Sequence, residues 1–184
     1  MKSKKVSETY ALKTEIVLPN DTNNLGNLMG GKLLHWMDVI TAISAQRASN
    51  RTVVTVSVDF VEFKKSIPLG SVVILESRVT RTFNSSLEVR VDVAFENLGT
   101  GEKQSSNSAY YTFVAVDQSG RPIPVGNVEP ETDPEKELYQ GALQRRELRL
   151  LLAGRIKADQ AKGLKEIFGI DQGISGHRPQ GMDK

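Results

Sequence analysis

At 184 residues the chain is long enough for one domain and an appendage, and it can bury a core without covalent staples. It has no cysteine and only two histidines, His35 and His177, which excludes disulfide scaffolds, thiolate metal sites, cysteine nucleophiles and mechanisms that need several histidines. A formal net charge of +2 is too near neutral to point to nucleic acid.

Residues 1–9 read as a flexible lead-in. They carry lysines but no apolar core of a signal peptide, and no stretch approaches the ~20 apolar residues of a membrane span. The expected compartment is therefore the cytoplasm, with no membrane partner. Tyr10 to Leu18 reads as a short strand that stops at Pro19, which cannot donate to a ladder. The turn-rich run PNDTNNLGN, Pro19 to Asn27, is a loop. From Gly30 to Ser49, Leu33, Leu34, Met37, Ile40, Thr41, Ile43 and Ala45 recur at helical spacing, and Trp36 and Val39 widen the apolar stripe. So apolar a helix is expected to be wrapped by other structure.

After Thr52 the period changes to two. TVVTVSVDFVEF, SVVILESRVTRTF, SSLEVRVDVAFEN and KQSSNSAYYTFVAV are predicted strands, parted by turns at Ile67–Gly70, Phe83–Ser85 and Leu98–Gly101. Leu87, Val89, Val91, Val93 and Phe95 alternate with Glu88, Arg90, Asp92 and Ala94. The short connections predict that consecutive strands pair antiparallel, as a meander. One buried helix and a curled antiparallel sheet pack as an α+β fold of the hotdog type, over residues 10–117. Residues 118–132 read as a Pro/Gly-rich linker. A helical extension follows over 133–168, with Asp133 as its N-cap and Pro134 as its first residue. Residues 169–184 have the composition of a disordered tail.

Three features carry chemistry. Asp38 stands inside the apolar helix, between Trp36-Met37 and Val39-Ile40. A carboxylate there either faces the one solvated edge of the helix or lies in a cleft, where desolvation would suit it to act as a base. Gly30-Gly31 opens the helix, where first-turn amides and the helix dipole favour developing negative charge; the same pair also suits a plain tight turn. Asn23, in the preceding loop, could orient a water or simply make an Asx-turn.

No Ser-His-Asp or Cys-His arrangement can be assembled, Ser44 lacks the G-x-S-x-G elbow, and no metal-ligand cluster is evident. A single carboxylate base restricts the substrate to one with a good leaving group. A thioester qualifies, since its thiolate has a conjugate-acid pKa of about 8.5.

The run LPNDTNNLGNLMGGKLLHWMD followed by VVTVSVDFVEFKKSIPLGSVV resembles the acyl-CoA hydrolase family of hotdog proteins, which includes bacterial broad-range acyl-CoA thioesterases and the animal brain-type cytosolic enzyme. The likeness rests on P-x-D-T-N, the Gly-Gly opening, W-M-D, T-x-S-V-D and a later proline–glycine turn. It spans most of Val17 to Val73 and weakens toward Asp117. The resemblance implies dimers joined edge to edge across their sheets and assembled as a trimer of dimers. It implies acyl-CoA as substrate and no cofactor, CoA being part of substrate and product. Asn23 and Asp38 would then face each other from opposite subunits, Asp38 as general base, Asn23 placing the water or the carbonyl, and the Gly31 amide meeting the thioester oxygen.

Gly30, the strand Thr55-Val56-Ser57 and the turn Asn84-Ser85-Ser86 would contact the substrate, the strand along pantetheine and the turn near the CoA phosphates. Lys64, Lys65 and Arg81 are either further phosphate partners or a solvated face. Two departures from the family pattern are Met29, where a histidine is common, and Val39, where an acidic residue is common. Alternatives from other classes are a non-catalytic acyl-CoA-binding regulatory module and an interaction protein working through the Arg-rich C-terminal helix.

Overall fold

The computed structural model describes residues 3–59 and 61–168, with side chains through residue 165. The predicted disordered tail and His177 lie outside the described residues. The chain divides into two compact units, Met1–Tyr139 and Gln140–Lys184.

In the first unit the elements run β1 (Lys4–Lys5), a 3-10 turn (Val6–Thr9), β2 (Ala11–Ile16), a second 3-10 turn (Pro19–Asp21), α1 (Gly30–Ser49), β3 (Thr52–Asp59), β4 (Val72–Thr82), β5 (Ser86–Glu96), β6 (Lys103–Val116) and β7 (Val128–Glu129). A five-stranded antiparallel sheet in the order β2-β4-β5-β6-β3 lies against α1. The face of β5 predicted to be apolar, Leu87 to Phe95, is buried, as are Ala109, Tyr111, Phe113 and Ala115 of β6. Against them α1 sets Leu33, Met37, Ile40 and Ala45, which recur at three- to five-residue steps and so share one side of the helix. Small polar residues bring helix and sheet close: Ser44 and Ser77 share a hydrogen bond of 2.6 Å, and the Ser77 hydroxyl donates to the Ile40 carbonyl at 3.1 Å. Asn50, in the left-handed conformation (φ 51°), ends α1, its N–H donating to Gln46.

The structure corrects four expectations. Consecutive strands do not all pair: β3 crosses to the far edge and pairs with β6, so β3 and β4 are not neighbours. Residues 3–9 are not a loose lead-in. Val6 and Thr9 are buried, and the Thr9 hydroxyl accepts the Val79 N–H at 3.0 Å, beside the bulge between Val79 and Arg81. Nor is 118–132 a free linker. Val125 and Val128 are buried, the Ile123 and Val125 amides donate to Ala115 and Asn84, and β7 pairs in parallel with β1. The helix after it, α2 (Asp133–Leu152), is capped by Thr132 rather than Asp133, because Thr132 and Glu135 form a reciprocal pair: the Glu135 N–H reaches the Thr132 hydroxyl and the Thr132 N–H reaches the Glu135 carboxylate.

Glu88 also departs from the alternation. It is fully buried on the face expected to be polar, and the Thr80 hydroxyl at the bulge donates to its carboxylate at 2.6 Å. In the second unit α3 (Lys162–Phe168) packs on α2, with the Leu164 amide donating to the Glu147 carboxylate at 3.1 Å.

Candidate active site

Asp38 is half-buried on α1, at the side of the helix that faces β3. The Thr55 hydroxyl donates to its Oδ1 at 2.8 Å. Below it the Tyr111 hydroxyl, carried on the inner row of β6, donates to the Leu34 carbonyl at 3.3 Å, one helical turn before Asp38. Burial, and after it the charge of Asp38, pushes the Tyr111 hydroxyl well above its ordinary pKa, so it stays a neutral donor. Neither Thr55 nor Tyr111 was read from the sequence as a partner of Asp38. Thr55 lies seventeen residues on and on another element, and only the register of β3 brings it over the helix.

The mouth of α1 is built separately. Asp21 is buried; its carboxylate accepts the Leu18 N–H at 3.2 Å and pairs with Lys32 at 2.9 Å, while its carbonyl accepts the Met29 N–H at 2.8 Å. The Lys32 ammonium, with help from the Leu18 amide, holds the Asp21 carboxyl below the usual carboxylate range despite burial. Lys32 also lies 5.6 Å from the Trp36 ring centroid. The P-N-D-T-N run thus anchors the loop through its aspartate. The Lys32 and Leu33 amides turn back to Met29, and among the described residues no side chain caps the helix, whose first amides lie at Gly30 and Gly31. Gly31 is exposed, with nothing within 4 Å of where a Cβ would stand.

Asn23 adopts the Asx arrangement: its Oδ1 accepts the Leu25 and Asn27 amides at 2.9 and 3.2 Å. That leaves the side-chain NH2 as the donor a substrate or water would meet. Asn23 and Gly30 line one cleft of about 250 Å³ together with Leu28, Leu33, Phe63 and Ile67. Asp38 and Thr55 are not in its lining.

Of the other expected contacts, Val56 is the bulge residue of β3, skipped by the ladder between Thr55 and Ser57, and the Ser57 hydroxyl is buried with no partner among the described residues. The Asn84-Ser85-Ser86 turn has its carbonyls engaged by the amides of Val125, Ala115 and Phe83. Ser86 pairs with Val114, which pairs with Val54, so the turn sits level with Thr55 about 10 Å across the sheet. Arg81 is occupied: its guanidinium lies 4.3 Å from the Tyr139 ring centroid and donates to the Tyr139 carbonyl. Lys64 pairs with Glu62 at 3.4 Å, and Lys65 donates to Gln104 at 3.3 Å.

A model of the Thioesterase superfamily matches residues 25–101. An uncharacterized acyl-CoA thioester hydrolase of Bacillus subtilis, YkhA, is 46% identical over 138 residues, 75% of this chain and 80% of that protein. An apo-hexameric acyl-CoA thioesterase superposes with a TM-score of 0.80 at 44% identity, over 83% of this chain and 98% of that one. The acyl-CoA hydrolase of Staphylococcus aureus, solved with butyryl coenzyme A, coenzyme A and coenzyme A disulfide, superposes at 0.76 and 34% identity, over 93% of this chain and 100% of that one. That enzyme has also been solved with alanine replacing one asparagine, one aspartate and one threonine. By these likenesses the chain belongs to the acyl-CoA thioester hydrolase family of hotdog proteins and is a thioesterase.

Proposed function

We propose that the enzyme hydrolyses acyl-CoA to the free acid and CoA, with two half-sites, the Asn23–Gly30 cleft of one subunit and the Asp38–Thr55 pair of another, joined across a dimer. Asp38 takes a proton from water, the water oxygen attacks the thioester carbonyl, and the Gly31 amide receives the developing oxyanion at the positive end of α1. Collapse of the tetrahedral intermediate breaks the C–S bond, and the departing thiolate recovers the proton. The Asn23 side chain, from the other subunit, orients the water or the carbonyl. Ser57, Val56 and the Asn84–Ser86 turn serve the CoA arm, and no metal or cofactor takes part.

The observation that carries this reading is the Thr55–Asp38 hydrogen bond. It holds a carboxylate in place on a largely apolar helix, as a general base requires. The three residues replaced by alanine in the Staphylococcus aureus enzyme are spaced by fifteen and seventeen, the spacing of Asn23, Asp38 and Thr55 here. A dimer is supported by the outer edge of β3, which has no strand partner among the described residues and exposes Val54, Val56 and Val58, and by Val39 and Ile43 exposed on α1. Three such dimers forming a hexamer would match the hexameric relative. No described helix is long and apolar enough to cross a membrane. The cytosol is the compartment we propose, after the rat and mouse relatives named cytosolic acyl coenzyme A thioester hydrolases.

The test is CoA release from short to long acyl-CoAs by wild type and Asp38→Ala. Wild-type turnover that falls by about 10² or more in the variant is expected. Binding of acyl-CoA without release by wild type would replace the hydrolase with a binding module.

A further inference from the structure

Residues 61–66 leave the sheet after β3, and they bring Phe63 over the mouth of α1. A Cβ placed on Gly30 would stand 3.3 Å from the Phe63 Cζ, so the ring lies close over Gly30 and would have to give a few tenths of an ångström to a larger residue there. Phe63 is nonetheless 50% exposed. It is the outer wall of the cleft whose inner walls are the buried Leu28, Leu33 and Ile67. The loop is pinned beyond the ring, where the Leu28 N–H donates to the Ile67 carbonyl at 2.8 Å and Lys65 donates to Gln104.

We propose that Phe63 selects the length of the acyl chain: the acyl tail lies in the Gly30 cleft and the phenyl ring ends it, favouring acyl groups of up to about ten carbons. This rests on the reading above, in which the thioester oxygen sits at the Gly31 amide. From that point the acyl carbons and the pantetheine arm leave in opposite directions, and the chemistry of the cleft decides which enters. Leu28, Leu33, Phe63 and Ile67 give it an aliphatic and aromatic side that suits an acyl tail, beside the polar Asn23, Asn27, Lys65 and Ser66. A CoA nucleotide brings several negative charges, and the one cation in the lining, Lys65, is already engaged with Gln104. At about 250 Å³ the cleft is smaller than the ~300–1,000 Å³ pockets that hold drug-sized ligands. A cavity of ~150 Å³ holds benzene, so about 250 Å³ takes roughly ten carbons, and a longer chain meets the ring.

The experiment measures kcat/KM for acyl-CoAs from two to sixteen carbons on the intact oligomer, for wild type, Phe63→Ala, Phe63→Leu and Phe63→Trp. Each methylene newly buried is worth about fourfold in kcat/KM. The expected result is a dodecanoyl-to-butyryl ratio at least tenfold higher in Phe63→Ala, intermediate in Phe63→Leu and lower than wild type in Phe63→Trp. Should Phe63→Ala lose its native circular dichroism, the Leu and Trp variants carry the comparison. Ratios within twofold of wild type in every folded variant overturn the proposal while leaving the hydrolase intact. A rise in KM common to all chain lengths, matched by weaker inhibition by free CoA, also overturns it and gives the cleft to pantetheine. Absence of CoA release by wild type from any substrate overturns both the proposal and the reading beneath it.

Discussion

Replacing Thr55 by valine removes one hydroxyl while keeping a β-branched side chain on an edge strand that already carries three exposed valines. The lost interaction is the 2.8 Å bond to the Asp38 carboxylate. Hydrogen bonds to charged groups contribute about 1.5–3 kcal/mol. Thr55 is exposed within the chain and Asp38 half-buried, so the lower end applies. About 1.5 kcal/mol corresponds to roughly tenfold in rate. If the bond serves to aim the carboxylate at water, the loss falls on kcat, with KM within about twofold of wild type. Initial rates of CoA release, read with a thiol-reactive chromophore, measure both constants, and a chain without cysteine adds no background. Thr55→Ser, which restores the donor, is expected to recover most of kcat. A Thr55→Val enzyme retaining more than half of wild-type kcat would refute the reasoning. So would a rise in KM at unchanged kcat, which would make Thr55 a pantetheine contact rather than an orienter of the base.

Asp21→Asn removes the charge that pairs with Lys32 at the mouth of α1, and a loss of about 1–3 kcal/mol is expected from a buried charged hydrogen bond. Because Lys32 holds the folded Asp21 carboxyl below its unfolded value, this stabilisation is complete above the unfolded pKa of about 3.9 and is lost as pH falls through the lower folded value. Thermal midpoints of wild type and variant should differ by a constant amount from pH 5 to 8 and converge on acidification; a gap that widens in acid would reverse the sign and the argument. Thr132→Ala breaks the cap of α2 at a cost of about 1 kcal/mol, so amide exchange at Glu135 and Lys136 should quicken about fivefold with the β-sheet amides unchanged. Unaltered exchange there would return the cap to Asp133.

Period and punctuation carried much of this fold. The bounds of α1 are those read from its apolar spacing and Gly-Gly opening, and β4, β5 and β6 fall within a residue or so of the predicted strands. What the period does not encode is which strand lies beside which. The β3 segment is as alternating as its neighbours, yet it goes to the opposite edge, because its connection to β4 is long enough to leave the hairpin and its partner is β6. Glu88 escaped notice for a related reason: the Thr80 bulge resets the register of β4 against β5 and supplies the hydroxyl that satisfies the buried carboxylate. At Thr132 the signal T-x-x-E was present, but the aspartate and proline after it suggested a start one residue later. For the site, Asp38 was legible as a carboxylate with apolar neighbours on both sides. Its partner was not, since a threonine seventeen residues away becomes a neighbour only through tertiary register.

The crossing of β3 also sets an order of events during synthesis. The helix α1 and the β3 strand leave the ribosome early, whereas β6, the strand that closes over both, follows about fifty residues later. At ~5–20 residues per second, that is roughly 3–10 s during which a largely apolar helix waits for its coat. Local turns such as the Asx loop at Asn23 and the Asp21–Lys32 pair need no later residues, so the helix mouth can assemble in that interval. The sheet cannot. The nascent chain is therefore most vulnerable between the emergence of Ser49 and that of Tyr111, and a ribosome stalled in that window would display its stickiest segment to every other chain nearby.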